Sequence, residues 1–349
     1  MPYLLDLEKL QLGDIILQSG TSKFSWWIKK GTRSDYSHAM LYVGHSIIHA
    51  LTEGVYSTNP QRIIVNSDRH LKVLRSKSQL TESSRNIICN YARNLSGSLY
   101  NKVEAISSPI LNRFDKEAIS SGQFCSRLVA QAYKQAGISI SNNPDYTTPE
   151  NINKSSSLIE VKNCLIVAEQ RHIDFAATDD PILENQKRTF QWLNVARTLF
   201  ANRRIKIQTI NDVAEALMEN QDLDNEISKH IKDSKYLEHY DYDKVTNSYR
   251  YNLPLFIKKY QETDIDLFFQ ELNKEPDLIL RHSNNYFQSG LNYAHLGLEF
   301  HKLHTELYKN LLKLSEERIS ILFQFATIIR QPKLIEITNY LLTYIKKII

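Results

Sequence analysis

Cysteine is scarce in this chain: Cys89, Cys125 and Cys164 are the only three in 349 residues. An odd count without a secretory leader argues against a disulfide framework. Their spacings of 36 and 39 residues fit no zinc ribbon or finger, so each needs its own explanation. Long apolar runs are missing too. The longest, ISILFQFATII from Ile319 to Ile329, has eleven residues, whereas a membrane-crossing helix needs about twenty. The opening MPYLLDLEKLQLGD lacks the basic region, apolar run and small-residue cleavage site of a signal peptide. These absences predict a chain made in the cytoplasm, with no transmembrane segment. Export by a specialised secretion system needs no such signal and stays open. Neither charge is in large excess. The 43 Lys and Arg stand against 39 Asp and Glu, and the bases are scattered, so nucleic acid is not the expected partner.

Glycine is missing from one half only. Eight of the ten glycines lie between Gly13 and Gly137, none lies between Ile138 and Ser289, and Gly290 and Gly297 follow. A glycine-punctuated first part suits strands and tight turns. A glycine-poor second part rich in Leu, Lys, Glu and Asn suits helices. The length also exceeds one ordinary core. The predicted organisation is an α+β domain over 1–178 and a helical domain over 179–349, its role unassigned. Short strand-like runs fill the first: DIILQ (14–18), HAMLYV (38–43), SIIHAL (46–51), RIIV (62–65), LKVLR (71–75) and LIEVKNCLIVAE (158–169). Helical spacing marks about 81–95 and 126–136. Downstream, Thr209 and Asp212 form a shortened capping box, and GLEFHKLHTELYKNLLKLSEERISILFQFATIIRQ reads as one helix ending near Pro332.

Three histidines, His38, His45 and His49, crowd into SHAMLYVGHSIIHA. Two apolar runs flank Gly44-His45, a type II′ hairpin signature. In that register Met40 faces His49 and His38 faces Leu51. Alternation then puts His38, Met40, His49 and Leu51 on one face, with His45 exposed in the turn. A zinc site needs a third ligand at short spacing, and none stands out. The sequence therefore points to no metal and no cofactor. Glu299, His301 and His304 in HLGLEFHKLH are not an HExxH motif and read as a helical surface face.

Cys125 falls in a different setting from the other two cysteines. In SSGQFCSRLVAQAYKQAGI, the residues Leu128, Val129, Ala132, Tyr133 and Ala136 recur at helical spacing, and Gly137 is a natural stop. Cys125 therefore lies on the first turn of a buried helix. A helix N-terminus stabilises thiolate, and an imidazole can take the thiol proton. The bland alternative, a small buried hydrophobe, is the expected fate of Cys89 and Cys164, which sit in apolar runs. From the residues alone both readings of Cys125 stand.

Six segments in chain order, LQLGDIILQSG, YSHAMLYVG, IIHALTEGV, GSLYN, FCSRLVAQAYKQAGI and YTTPENI, resemble the YiiX/YebB-like branch of the permuted NlpC/p60 cysteine hydrolases. The resemblance covers about residues 8–170 and implies a circularly permuted papain-like fold, with histidine before cysteine. It implies Cys125 as nucleophile, His38 as base and His49 as the third, orienting residue. Much of that branch has a Glu at the third place, in a yEA-like motif, where this chain has IHA. The lecithin:retinol acyltransferase-like relatives use His there. Tyr36 matches a family tyrosine near the oxyanion, where a phenol can donate to developing negative charge.

The implied activity is cysteine hydrolysis of an amide bond in a peptide, an isopeptide, peptidoglycan or an N-acyl amide. Acyl transfer, thioesterase or phospholipase chemistry on lipids is the competing class; its usual NCEHF-type motif is replaced here by FCSRL. A non-catalytic binding module is the third reading. A helical module beside a hydrolase suits a protein target, a dimer contact or a gate. The pairing fits an injected effector or toxin as well as a housekeeping enzyme. Phe24, Trp26, Trp27 and Ile28, with Lys29, Lys30 and Arg33, read as a segment whose tryptophans pack into the core beside solvated bases rather than as a substrate- or membrane-facing loop. Asp14 in GDIIL reads as structural.

Overall fold

Alternating apolar residues build an antiparallel sheet of six strands in the order β5-β4-β3-β2-β6-β7. The computed structural model describes residues 1–20, 35–51, 53–99, 124–262 and 267–349. The segment from Phe24 to Arg33 and the residues Ser121 and Gly122 lie outside the described residues. The strands are β1 (Tyr3–Leu5), β2 (Ile15–Gln18), β3 (His38–Tyr42), β4 (Ile47–Leu51), β5 (Gly54–Thr58), β6 (Leu71–Ser76), β7 (Leu158–Glu160) and β8 (Leu165–Val167). β1 and β8 form a separate antiparallel pair. The run RIIV is not a strand. Pro60–Arg62 makes a 3-10 turn, and Val65 contributes only an isolated bridge to Tyr3. LIEVKNCLIVAE splits into β7 and β8, which lie in different sheets.

Period-two alternation gives the sheet two apolar faces. Ile15, Leu17, Ala39, Leu41, Ile48 and Ala50 pack under helices α1 (Glu82–Asn94) and α2 (Cys125–Gln135), against Ile88, Leu128, Val129 and Tyr133. Ile16, Met40, Tyr42, Ile47 and Val73 form the opposite face, packed with Leu5 and Cys164. Leu128 and Val129 are wholly buried, each contributing about 1.5–3 kcal/mol on removal from water. α2 stops as its sequence predicts. Gly137 takes φ +74°, and the Ile138 N–H reaches back to the Tyr133 carbonyl, a Schellman closure that glycine permits without strain. The Tyr133 hydroxyl donates to the Gly13 carbonyl at 2.6 Å, pinning this helix to the turn before β2. Asp14 is structural as expected. It is buried, accepts two bonds from Arg75 at 2.7 Å each, and accepts the Gln11 N–H at 2.8 Å.

The chain packs as two units, Met1–Leu193 with Lys206–Asp212, and Asn194–Ile205 with Val213–Ile349. The short helix α3 (Pro149–Asn153) and then α4 (Gln170–Ala177) lie in the first unit. Helix α5 (Pro181–Ala201) begins there, where the Phe190 ring stacks on Tyr56 at 5.1 Å. An added Cβ at Gly54 would meet Phe190 and the Ser98 carbonyl at 2.5 Å, so only glycine fits that approach. The Thr209–Asp212 cap forms at the start of α6 (Ile210–Glu219). The Asp212 carboxylate accepts the N–H groups of Gln208 and Thr209 at 2.7 and 2.9 Å.

The second unit is helical. Its elements include α7 (Asp224–Asp233), α8 (Glu275–Leu296), α9 (Glu299–Ile328) and α10 (Pro332–Ile348). Phe256, Phe268, Leu312, Ile319, Phe325 and Ile345 make its core. Asp224 caps α9 by accepting the N–H groups of Glu299 and Phe300 at 2.7 and 2.9 Å. Arg318 pairs with buried Glu275 at 2.6 and 3.0 Å. α9 is one long helix ended before Pro332, as the sequence predicts. His301 and His304 correct an expectation. Both are buried rather than on a surface face, because the α9 stripe containing Phe300 and Leu303 turns inward. Among the described residues no helix is long and apolar enough to cross a membrane.

Candidate active site

The hairpin that carries the histidines closes at Gly44 and His45, both with positive φ, +80° and +52°. That is the type I′ pattern, not the expected II′, which has positive φ only at its first position. His45 is exposed, as expected. The register matches the sequence reading at the turn end, with Leu41 opposite Ile48 and Tyr42 opposite Ile47. The ladder then opens. β3 stays paired to β2 as far as His38, and β4 stays paired to β5 as far as Leu51. Between β3 and β4 the pairing stops at Leu41. The backbone N–H of Ala39 is thereby released from that edge.

The Cys125 thiol meets this released donor. Hydrogen bonds from the backbone N–H groups of Ala39, Ser126 and Cys125 favour its thiolate. Burial outweighs them and pushes the thiol up. The helix start supplies the donors because the first-turn N–H groups have no partners within the helix. Phe124, at the N-cap, provides no side-chain cap. Ser126 also donates to the Thr147 carbonyl at 2.6 Å, which fixes this turn.

The two histidines join across the fork. Nε2 of His38 and Nδ1 of His49 are hydrogen-bonded at 2.9 Å, with ring centroids 5.1 Å apart. The far nitrogen of His49, Nε2, is hydrogen-bonded to the Thr58 hydroxyl on β5 at 2.9 Å. Thr58 is diagonal to His49, whose direct partner is Tyr56, so cross-strand geometry brings the two side chains together. Burial pulls His38 down to about 4. Burial, and then the nearby His38, pulls His49 down to about 3. Both rings are therefore neutral at pH 7. The thiol is not hydrogen-bonded to either ring in this structure; the Ala39 N–H places it one residue from His38. Tyr36, half-buried, packs against the core beneath α2. Burial, and then the charges of Glu160, Asp35 and Glu150, raise its phenol, which therefore stays a donor.

The sequence reading missed Thr58. Its strand, GVYST, was not among the predicted runs; it does not alternate, being buried from Gly54 to Tyr56 and partly exposed at Ser57 and Thr58, and its signal is strand-favouring Val, Tyr and Thr. All three cysteines are buried, so burial alone does not single out Cys125. What distinguishes it is the ring of N–H donors at a helix start. Among the described residues no group of three His, Cys, Asp or Glu side chains is arranged to hold a metal.

A helix-borne cysteine following a histidine-bearing antiparallel sheet is the permuted order of a papain-like cysteine hydrolase. Residues 9–170 match the model of a family described as permuted papain-like amidase enzymes, YaeF/YiiX, C92 family. That segment is a permuted papain-like cysteine hydrolase domain, and a helical region follows it. A solved structure described as the metalloprotein YiiX from Escherichia coli O157:H7 is 21% identical, with a TM-score of 0.34, over 44% of this chain and 97% of that one. No curated protein matches the chain.

Proposed function

We propose that the first unit hydrolyses an amide bond through an acyl-thioester on Cys125, with His38 as proton acceptor and His49 holding the His38 ring. The observation that carries this reading is the thiol at a helix start, bonded by the Ala39 N–H in the open fork beside the His38–His49 pair. Nε2 of His38 is engaged by His49, which leaves Nδ1 for the thiol. With the thiol raised and the imidazole lowered by burial, the resting pair is neutral.

The proton then moves as the bond forms. Sγ attacks the carbonyl carbon while His38 Nδ1 takes the thiol proton. The C=O π pair moves onto oxygen, where the Cys125 backbone N–H and the Tyr36 phenol donate to it. Collapse breaks the C–N bond, and His38 returns the proton to the leaving nitrogen. Water attacks the thioester, giving one proton to His38, which passes it to sulfur as the acid leaves. Acyl transfer to an alcohol or lipid would use the same acyl-enzyme with a different acceptor.

A panel of N-acyl aminocoumarin amides, read by fluorescence and intact mass, tests the proposal. The expected result is coumarin release with a transient acyl mass on Cys125, both lost in Cys125→Ala. Release that persists in Cys125→Ala overturns it.

A further inference from the structure

The hydrogen-bonded chain His38–His49–Thr58 can hold its protons in two directions. In the first, His38 Nε2–H donates to His49 Nδ1, and His49 Nε2–H donates to Thr58 Oγ1. The lone pair of His38 Nδ1 is then available. In the second, the Thr58 hydroxyl donates to His49 Nε2, and His49 Nδ1–H donates to His38 Nε2. The one ring proton of neutral His38 is then on Nδ1, and no lone pair is left to take the thiol proton. The two directions use the same heavy-atom distances, 2.9 Å at each link. They differ only in the role of the Thr58 hydroxyl.

We propose that Thr58 is a positioning residue that acts as acceptor at the end of this chain and thereby keeps His38 in its basic tautomer. This rests on the proposed roles of Cys125 and His38 and goes beyond them, by naming the group that decides the proton direction. The first direction also suits the charged state. When His38 gains a proton at Nδ1, its Nε2–H still points to His49, and the His49 Nε2–H still points to Thr58. No proton in the chain has to turn round.

The strand that presents Thr58 is held on its outer edge. β5 is the last strand of the sheet; on its outer edge Val55 pairs with the Ser98 carbonyl and the Gly97 N–H, and Ser57 lies beyond that pairing. The Gln186 side chain on α5 acts as a strand substitute. Its Oε1 accepts the Ser57 N–H at 2.5 Å, and its Nε2 donates to the Ser57 carbonyl at 2.8 Å. Phe190, one helical turn on, stacks against Tyr56. The residue before Thr58 is thus fixed by both of its backbone groups, which sets the hydroxyl opposite His49.

Removing the acceptor leaves a buried His49 N–H without a partner in the productive direction. An orphaned donor costs more than an orphaned lone pair, so Thr58→Val favours the reversed direction. Thr58→Ser restores the hydroxyl. The test uses the full chain, with 15N-labelled histidine, in wild type, Thr58→Val, Thr58→Ser and His38→Ala. Two quantities are read: the tautomer of each ring by long-range 1H–15N correlation, and the rate of iodoacetamide labelling of Cys125 at pH 6. Wild type is expected to carry the His49 proton on Nε2. Thr58→Val is expected to move it to Nδ1 and to slow labelling about tenfold, with Thr58→Ser within about twofold of wild type. Wild-type His49 protonated on Nδ1 overturns the inference, and this reading needs no variant to fold. So does a folded Thr58→Val that labels as fast as wild type while His38→Ala is slow. If instead wild-type Cys125 labels no faster than His38→Ala, the proposed catalytic pair fails first and takes the inference with it.

Discussion

The pH dependence of Cys125 alkylation follows from which group takes the thiol proton. An unassisted thiol of pKa about 8.5 is about 0.3% thiolate at pH 6, and its alkylation climbs tenfold per pH unit. Cys125 is a poorer acid still, because burial raises it. His38, lowered to about 4, is almost wholly neutral at pH 6 and able to accept the proton there. Labelling of Cys125 by iodoacetamide is therefore expected to be nearly flat between about pH 5 and 8, falling only as His38 protonates near pH 4. His38→Ala should restore the tenfold climb per unit. The two proteins should then differ by a factor on the order of 100 at pH 6 and converge toward pH 9. Peptide mass spectrometry after timed alkylation reads the three cysteines separately, with Cys89 and Cys164 as buried controls. A wild-type Cys125 profile that climbs tenfold per unit, or one that His38→Ala leaves unchanged, would refute the assignment of His38 as base.

Two further outcomes concern stability. Asp14→Ala removes the buried partner of Arg75 and the acceptor for the Gln11 N–H. Because Arg75 keeps some exposure, the expected loss is about 3 kcal/mol, the low end for breaking a buried pair, read as a lower urea midpoint for the first unit. The second outcome is acid sensitivity. The lowered pKa values of His38 and His49 in the first unit, and of His282 and His304 in the second, at about 3 and about 4, mean that the unfolded chain binds more protons below pH 6.5. Their contribution is complete above pH 6.5 and is lost as pH falls, by about 1.4 kcal/mol per unit for each imidazole. Urea midpoints should drop between pH 6.5 and 5, before ordinary carboxylates titrate; midpoints that stay level over that window would show that these rings charge freely in the folded protein.

Much of this site is legible in the sequence because its parts are local. Alternation puts His38 and His49 on one strand face, and apolar spacing with Gly137 as the stop puts Cys125 at a helix start. Both follow from backbone periods of 2 and 3.6 that every chain obeys. The order of histidine before cysteine is likewise written in the chain. Other features depend on atoms distant in sequence, and only tertiary packing decided them. The β3–β4 ladder opens at Leu41, where the Cys125 helix start brings a sulfur to the Ala39 N–H. The far nitrogen of His49 meets Thr58 because β5 adds to the sheet edge, and Gln186, 129 residues from Ser57, seals that edge. His301 and His304 show the same divide: helical spacing placed them together, but only packing turned their side inward. Local pattern fixes which residues share a face. Whether that face meets water, a helix or another side chain depends on contacts between segments far apart in the chain, and those contacts make this hairpin a candidate proton relay.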